Sequence, residues 1–190
     1  LTMPRINQVK SSTIIFLLFF TELIICQPVN KKNVDPVIKS FFVPGWGQNE
    51  LGYKSRSNKY IYVEVGILLS LYTSSKHSNE IKRNYIAYAA KHAEVVTKGK
   101  DREYWVDIGN YNTLSDYNSE HLRNREAGDL YPQTKKWNWN WDTSANRKYF
   151  ESRRIYSDKL KLFSTFAMGG LFLNHFVSSI DALSLIHISE

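Results

Sequence analysis

At 190 residues the chain has room for about one domain with targeting segments, and 43% hydrophobic with 14% aromatic residues excludes a disordered tail or a low-complexity chain. Lys and Arg outnumber Asp and Glu by 25 to 18, a net charge of +7, and a mean hydropathy of −0.39 is too polar for a many-pass transporter while allowing one or two membrane segments. The single cysteine, Cys26, excludes an intramolecular disulfide framework and a cysteine-based zinc site.

The chain opens with the layout of a secretory signal. Arg5 and Lys10 precede an apolar run over residues 13–26, and polarity returns at Gln27-Pro-Val-Asn-Lys-Lys32. Residues 1–26 are therefore expected to be a signal peptide, with an uncleaved anchor or lipidation at Cys26 as alternatives. Residues 27–59 follow as a polar leader holding Pro28 and Pro36, a short helix over 37–43, and Pro44-Gly-Trp-Gly-Gln48. In that last segment two glycines flank Trp46, which forces a turn with an amphipathic ring at its apex.

A first long helix is expected over residues 60–96. Its part over 60–75 is apolar nearly all round, and Ile81, Tyr85, Tyr88, Ala89 and His92 then recur at helical spacing. Residues 97–142 carry Tyr104, Trp105, Tyr111, Tyr117, Tyr131, Trp137, Trp139 and Trp141, too many large rings for a linker, so this stretch is expected to fold as a cap. Within it, a short helix over 115–127 closes at Gly128. The alternation Trp137-Asn-Trp-Asn-Trp141 reads as an edge strand or an interfacial aromatic belt. Asp107-x-Gly-Asn-x-Asn112 places Gly109 and Tyr111 where a calcium loop needs oxygen ligands, so it reads as a turn.

A second long helix is expected over 143–182. It is capped by Asp142-Thr-Ser144, charged through Lys161 and apolar over 162–182. All eight of the residues at 183–190, Leu-Ser-Leu-Ile-His-Ile-Ser-Glu, match translated sequencing adapter, as a metagenomic fragment can carry, and His187 is assigned no role.

The segment Phe41-Phe-Val-Pro-Gly-Trp-Gly-Gln48, the basic stretch after Gly52 and the apolar helix beyond it resemble an uncharacterised bacterial membrane-protein family. That family is a domain of unknown function with a Pro-Gly-x-Gly-Gln motif before its first membrane helix. The resemblance covers residues 38–75 and extends to features of longer members: Asp107-Ile-Gly-Asn-Tyr111, Leu130-Tyr-Pro132, Trp139-Asn-Trp-Asp142 and Ser178-Ser-Ile-Asp-Ala182. It implies membrane location and no established activity, so it supplies no catalytic residue.

The expected fold is mainly α: an antiparallel hairpin of two long helices with membrane-embedded ends, at 60–75 and 162–182, and a compact aromatic-rich cap at the tip. On the loop side, Lys76, Lys82, Arg83 and Lys91 with Arg147, Lys148, Arg153, Arg154, Lys159 and Lys161 outnumber Lys39, Lys54, Arg56 and Lys59 on the other. The positive-inside bias then puts the cap in the cytoplasm of a bacterial inner-membrane protein, and the same charges anchor it against anionic lipid. No nucleic-acid module accompanies them.

Setting Ser75 level with Leu162 brings Gly66 beside Leu171, next to Gly169 and Gly170, where small residues permit close approach. It also brings Glu64 level with Leu173, next to Asn174 and His175. With Asp181, these form a candidate intramembrane polar cluster, because an acid in hydrocarbon needs a partner. His77, His92 and His121 lack metal-ligand spacing, and neither a phosphate-cradling glycine loop nor a nucleophile elbow occurs. No metal or cofactor is expected; the lipid bilayer is the expected partner, and the cap is a candidate surface for a protein partner. The leading functional reading is a non-enzymatic envelope scaffold or accessory factor of unknown biochemical activity. Two alternatives stand beside it: a small membrane-embedded enzyme or proton path using Glu64, Asn174, His175 and Asp181, and a soluble periplasmic helical protein.

Overall fold

A computed structural model describes residues 35–189, so the signal expected over 1–26 and the start of the leader lie outside the described residues. Those described are mainly helical, with no strand among them. In chain order they form α1 Asp35–Phe42, α2 Trp46–Glu50, α3 Lys54–His92, α4 Arg102–Asn110, α5 Leu114–Arg123, a 3-10 turn Ala127–Asp129, and α6 Ser144–Ser189. They divide into two compact units, one drawn from Leu1–Asn58 with Val177–Glu190 and the other Lys59–Phe176.

In the second unit α3 ends at His92, earlier than the expected residue 96. Glu94 turns into the left-handed region at φ 55. The carbonyls exposed by that end are claimed by a distant segment: Asn140 N–H donates to Ala93 O at 3.1 Å and Asp142 N–H to His92 O at 2.9 Å. Helix α4 takes the place of the turn expected around 107–112. Asp101 starts it by accepting the Tyr104 N–H at 2.9 Å. Its last carbonyls are also taken: the indole of Trp141 donates to Ile108 O at 2.6 Å and that of Trp139 to Tyr111 O at 3.2 Å, while Arg147 reaches Gly109 O and Asn110 O.

The tryptophan alternation therefore serves two helix ends rather than a sheet edge. Its start at Trp137 is a turn, and its pairing is limited to an isolated bridge between Thr113 and Asn140. Helix α5 carries a capping box, Thr113 Oγ1 accepting from Asp116 N and Asp116 Oδ2 from Thr113 N. It stops at Arg123, short of the expected residue 127, because Arg125 adopts φ 63.

These caps frame an aromatic core. Ile81, Tyr85 and Ala89 lie one turn apart on α3 and are buried with Tyr104, Trp105, Ile108, Leu114, Tyr117, Trp139, Trp141 and Phe150. Ring edges meet ring faces, as in Tyr85–Phe150 at 5.3 Å and Tyr104–Trp139 at 5.6 Å.

Elsewhere in the same unit the pattern inverts. Ser74 Oγ lies 2.8 Å from Ser164 Oγ, Ser78 Oγ donates to Ser157 O at 2.8 Å, and Ser157 Oγ donates to Ser78 O at 2.9 Å, all buried. Meanwhile Leu69, Tyr72, Phe163, Phe166 and Phe172 face outward, Phe172 with 76% of its surface exposed. The pairs run oppositely along the two helices, residue numbers falling on α6 as they rise on α3.

The close approach expected at Gly66, Gly169 and Gly170 is not made by Gly66 or Gly169: a Cβ on either would meet nothing within 4 Å. Only Gly170 faces the other helix, with Ile67 at 3.6 Å. Gly66 lies eight residues before Ser74, hence roughly 80° around the helix from the serine face, and the serines are the small residues in contact.

Among the described residues one helix, Ser144–Ile188, is long and apolar enough to cross a membrane. The second span expected over 60–75 does not qualify. Lys59 and Lys76 bound it and Glu64 interrupts it, so it falls short of the ~20 apolar residues a span needs. Helix α6 also continues past the expected residue 182 to Ser189, since neither proline nor glycine stops it.

The cap core makes a direct prediction. Trp139 is fully buried and also caps α4, so Trp139→Ala should cost about 3–5 kcal/mol. Denaturant unfolding followed by near-ultraviolet circular dichroism checks it; a loss below ~1 kcal/mol would show that the ring is not part of a close-packed core.

Candidate functional site

The first unit is built around the Pro44–Gln48 segment. Gly45 sits at φ 92, and a Cβ there would lie 2.6 Å from Ser57 O. Its N–H donates to Ser178 Oγ at 2.8 Å. Gly47 is tighter still: a Cβ would fall 2.0 Å from Pro36 O, and the space it leaves lets its N–H reach Ser40 Oγ at 2.9 Å. Gln48 is fully buried, and its amide uses every hydrogen-bonding position it has. Nε2 donates to Ser178 O at 2.7 Å and to Asp181 Oδ2 at 3.1 Å. Oε1 accepts from Ser40 Oγ at 3.0 Å and from Ser178 Oγ at 3.3 Å.

Each hydroxyl in this knot gives its one hydrogen to Gln48 and receives one backbone N–H, so the donor and acceptor assignments agree throughout. Arg56 closes the edge with a 2.6 Å bond to Asp181 Oδ1. Pro44 is buried, whereas Trp46 remains half exposed and Phe42 faces outward. With its polar groups mutually satisfied, the knot is a clamp holding α1, α2 and the start of α3 to the end of α6; nothing in it is poised to react.

Of the four residues expected to form the intramembrane polar cluster, the second unit brings three together. Glu64 Oε2 accepts from Asn174 Nδ2 at 2.9 Å, and Glu64 Oε1 lies 3.0 Å from His175 Nε2. The other Asn174 Nδ2 hydrogen goes to Tyr60 O at 3.2 Å. Asp181 does not join them; it belongs to the first unit, bound to Gln48 and Arg56. Its spacing of three from Ser178 places both on one helix face, and that was the sequence signal for its true partners.

The cap holds polar groups that spacing alone did not single out. His92 Nδ1 lies 2.7 Å from Asp142 Oδ2, and Asn146 Nδ2 donates to Asp142 Oδ1 at 2.8 Å while its carbonyl accepts from Tyr88 OH at 2.6 Å. A carboxylate can only accept, so the His92 proton sits on Nδ1 and the nearby Asn146 amide serves Asp142. The His92 bond, followed by that of Asn146, holds the Asp142 carboxyl below its ordinary range. Burial pushes the Asp107 carboxyl up, partly countered by the Tyr131 hydroxyl 2.7 Å away. Lys100 Nζ stands 4.0 Å from the Tyr104 ring centre and 3.6 Å from that of Trp137. Burial lowers its pKa to about 8, and the two ring faces pull the other way by favouring the cation.

Among the described residues no group of three His, Cys, Asp or Glu is placed to hold a metal ion. No family model, curated protein or solved structure matches the chain.

The knot predicts a graded glycine series. Gly47→Ala should sharply reduce accumulation of folded protein, since the methyl meets backbone oxygen; Gly45→Ala should come next. Gly52→Ala, at φ 87 with nothing within 4 Å, should cost only the left-handed backbone penalty of ~1–2 kcal/mol. Quantitative blotting of membrane and soluble fractions reads the order; equal accumulation of all three would mean the knot is not constrained.

Proposed function

We propose that this chain is a bacterial envelope membrane protein that acts as a scaffold or accessory factor without catalysis. The single observation that supports this reading is the inverted stretch of the second unit. A helix pair in water buries its apolar face and exposes its polar one. Here Ser74, Ser78, Ser157, Ser164, Asn174 and Glu64 turn toward each other, and Leu68, Leu69, Phe163, Phe166, Phe172 and Leu173 turn out. That arrangement suits hydrocarbon, where association rests on small residues and interhelical hydrogen bonds. The membrane-capable helix Ser144–Ile188 is compatible with it.

In this reading α6 crosses the membrane and the shorter apolar stretch of α3 runs antiparallel against it, entering the bilayer only with its polar face covered by α6; the aromatic region is a cytoplasmic cap that offers a surface to a protein partner, and the Pro-Gly-Trp-Gly-Gln knot is a structural motif shared with the family the chain resembles. The soluble periplasmic alternative would leave those rings in water, a contiguous apolar surface of the kind soluble monomers avoid. The full chain should therefore stay in the membrane pellet through alkaline carbonate and leave it only with detergent. A cytoplasm-active reporter fused after Gly128 should be active. Carbonate release would overturn the membrane reading, and a periplasm-active reporter would overturn the orientation.

The contact of Glu64 with His175 favours one second reading, a proton path. The two readings part on substitution. As helix glue, Glu64→Gln should keep the protein assembled because an amide oxygen still accepts from Asn174, whereas Glu64→Leu removes the carboxylate that Asn174 and His175 share across the two helices and lowers accumulation. Proton flux into vesicles holding the purified chain, present in wild type and abolished by Glu64→Gln, would instead establish the path.

A further inference from the structure

The second unit passes from its outward apolar surface to its charged cap within a few residues of α6. Lys159 and Lys161 are exposed there, immediately followed by the outward-facing Leu162, Phe163 and Phe166. A shallow hollow of about 440 Å³ opens at this junction, lined by Arg102 from α4 and by Ile155, Asp158, Lys159, Lys161 and Leu162 from α6. Its one acid is already engaged: Asp158 Oδ2 lies 3.1 Å from Arg102 and 3.3 Å from Arg154. Lys159 and Lys161 enter no ion pair among the described residues. A neighbouring hollow shares Ile155 and Lys159 and adds Lys148, Arg153 and one acid, Glu151, which lies 4.0 Å from Arg147.

We infer that this junction is a headgroup site for an anionic glycerophospholipid such as phosphatidylglycerol. The lysines and Arg102 face the phosphate, and the acyl chains run along Leu162 and Phe166. The lining matches an amphiphile: cations on one side, aliphatic and aromatic surface on the other, and the one acid of the hollow, Asp158, already paired with two arginines. A soluble anion would use only half of it. Uncompensated lysines at the edge of an apolar belt are also where the negative surface of a membrane is felt most strongly, within a Debye length.

The inference rests on the membrane reading above, and its test separates the two. The full chain, purified in mild detergent, is titrated with phosphatidylglycerol and phosphatidylcholine of identical chains, and bound lipid is counted by native mass spectrometry. Wild type should retain phosphatidylglycerol roughly tenfold better. K159Q/K161Q should lose that preference and K159R/K161R should keep it. K98Q/K135Q, which removes the same charge from exposed cap positions, should also keep it. Equal retention of both lipids by wild type, an unchanged preference in K159Q/K161Q, or an equal loss in K98Q/K135Q would each overturn the site. Carbonate extraction of the same proteins reports separately on membrane insertion: loss of lipid preference in a chain that carbonate still cannot release removes the site alone.

Discussion

A polar group withdrawn from water must find a partner within the protein, and this requirement organises both units. In the first it is met by one amide. Among the described residues there, the fully buried Gln48 brings two donors and two acceptor sites to one point, and Ser40, Ser178 and Asp181 are arranged around it. The glycines follow from this. Gly45 and Gly47 bring backbone close enough for their N–H groups to reach Ser178 and Ser40; a methyl at Gly45 would run into Ser57, and one at Gly47 into Pro36 and Ser40.

In the second unit the same requirement falls on helix ends. α3 and α4 both end against residues 139–147, whose donors take their last carbonyls. Residues 139–142 supply the missing donors with period-two geometry. Backbone N–H groups of Asn140 and Asp142 point to the end of α3, while the indoles of Trp139 and Trp141 point to the end of α4. The tryptophans thus combine a large buried area with a directed donor, the dual character that makes an indole useful where apolar and polar demands meet. Removing one ring takes out core volume and a helix cap together.

Along α3 and α6 within this unit, two packing regimes share the same helices. Near the aromatic core, apolar rings point inward and charges outward except for the buried Arg154. Beyond Ser78 and Ser157, hydroxyls and the Glu64–Asn174–His175 group point inward and rings outward. A single polypeptide rule cannot give both, because the preference of a face depends on what surrounds it. Hydrocarbon around the second region and water around the first satisfy both under the function proposed above. The serine contacts then carry an association that hydrophobic burial does not drive there.

Much of this was legible in the sequence alone. Long proline-free stretches specify α3 and α6, because nothing in them interrupts backbone hydrogen bonding. The glycines of the Pro-Gly-x-Gly-Gln segment mark a left-handed turn at Gly45 and a close backbone approach at Gly47, although Trp46–Gln48 belong to α2 rather than to the turn. The density of large rings in residues 97–142 specifies a folded region, because that much apolar surface is not left in water. Tertiary structure decided what local pattern leaves open: that α4 forms where turn residues predominate, that the Trp-x-Trp alternation caps helices instead of edging a sheet, and that Asp181 joins Gln48 rather than Glu64. It also decided that serines, not Gly66 or Gly169, carry the contact between α3 and α6. Each of these depends on which distant group meets an unsatisfied donor, acceptor or face, and periodicity along one segment holds no information about the segment that will arrive opposite it.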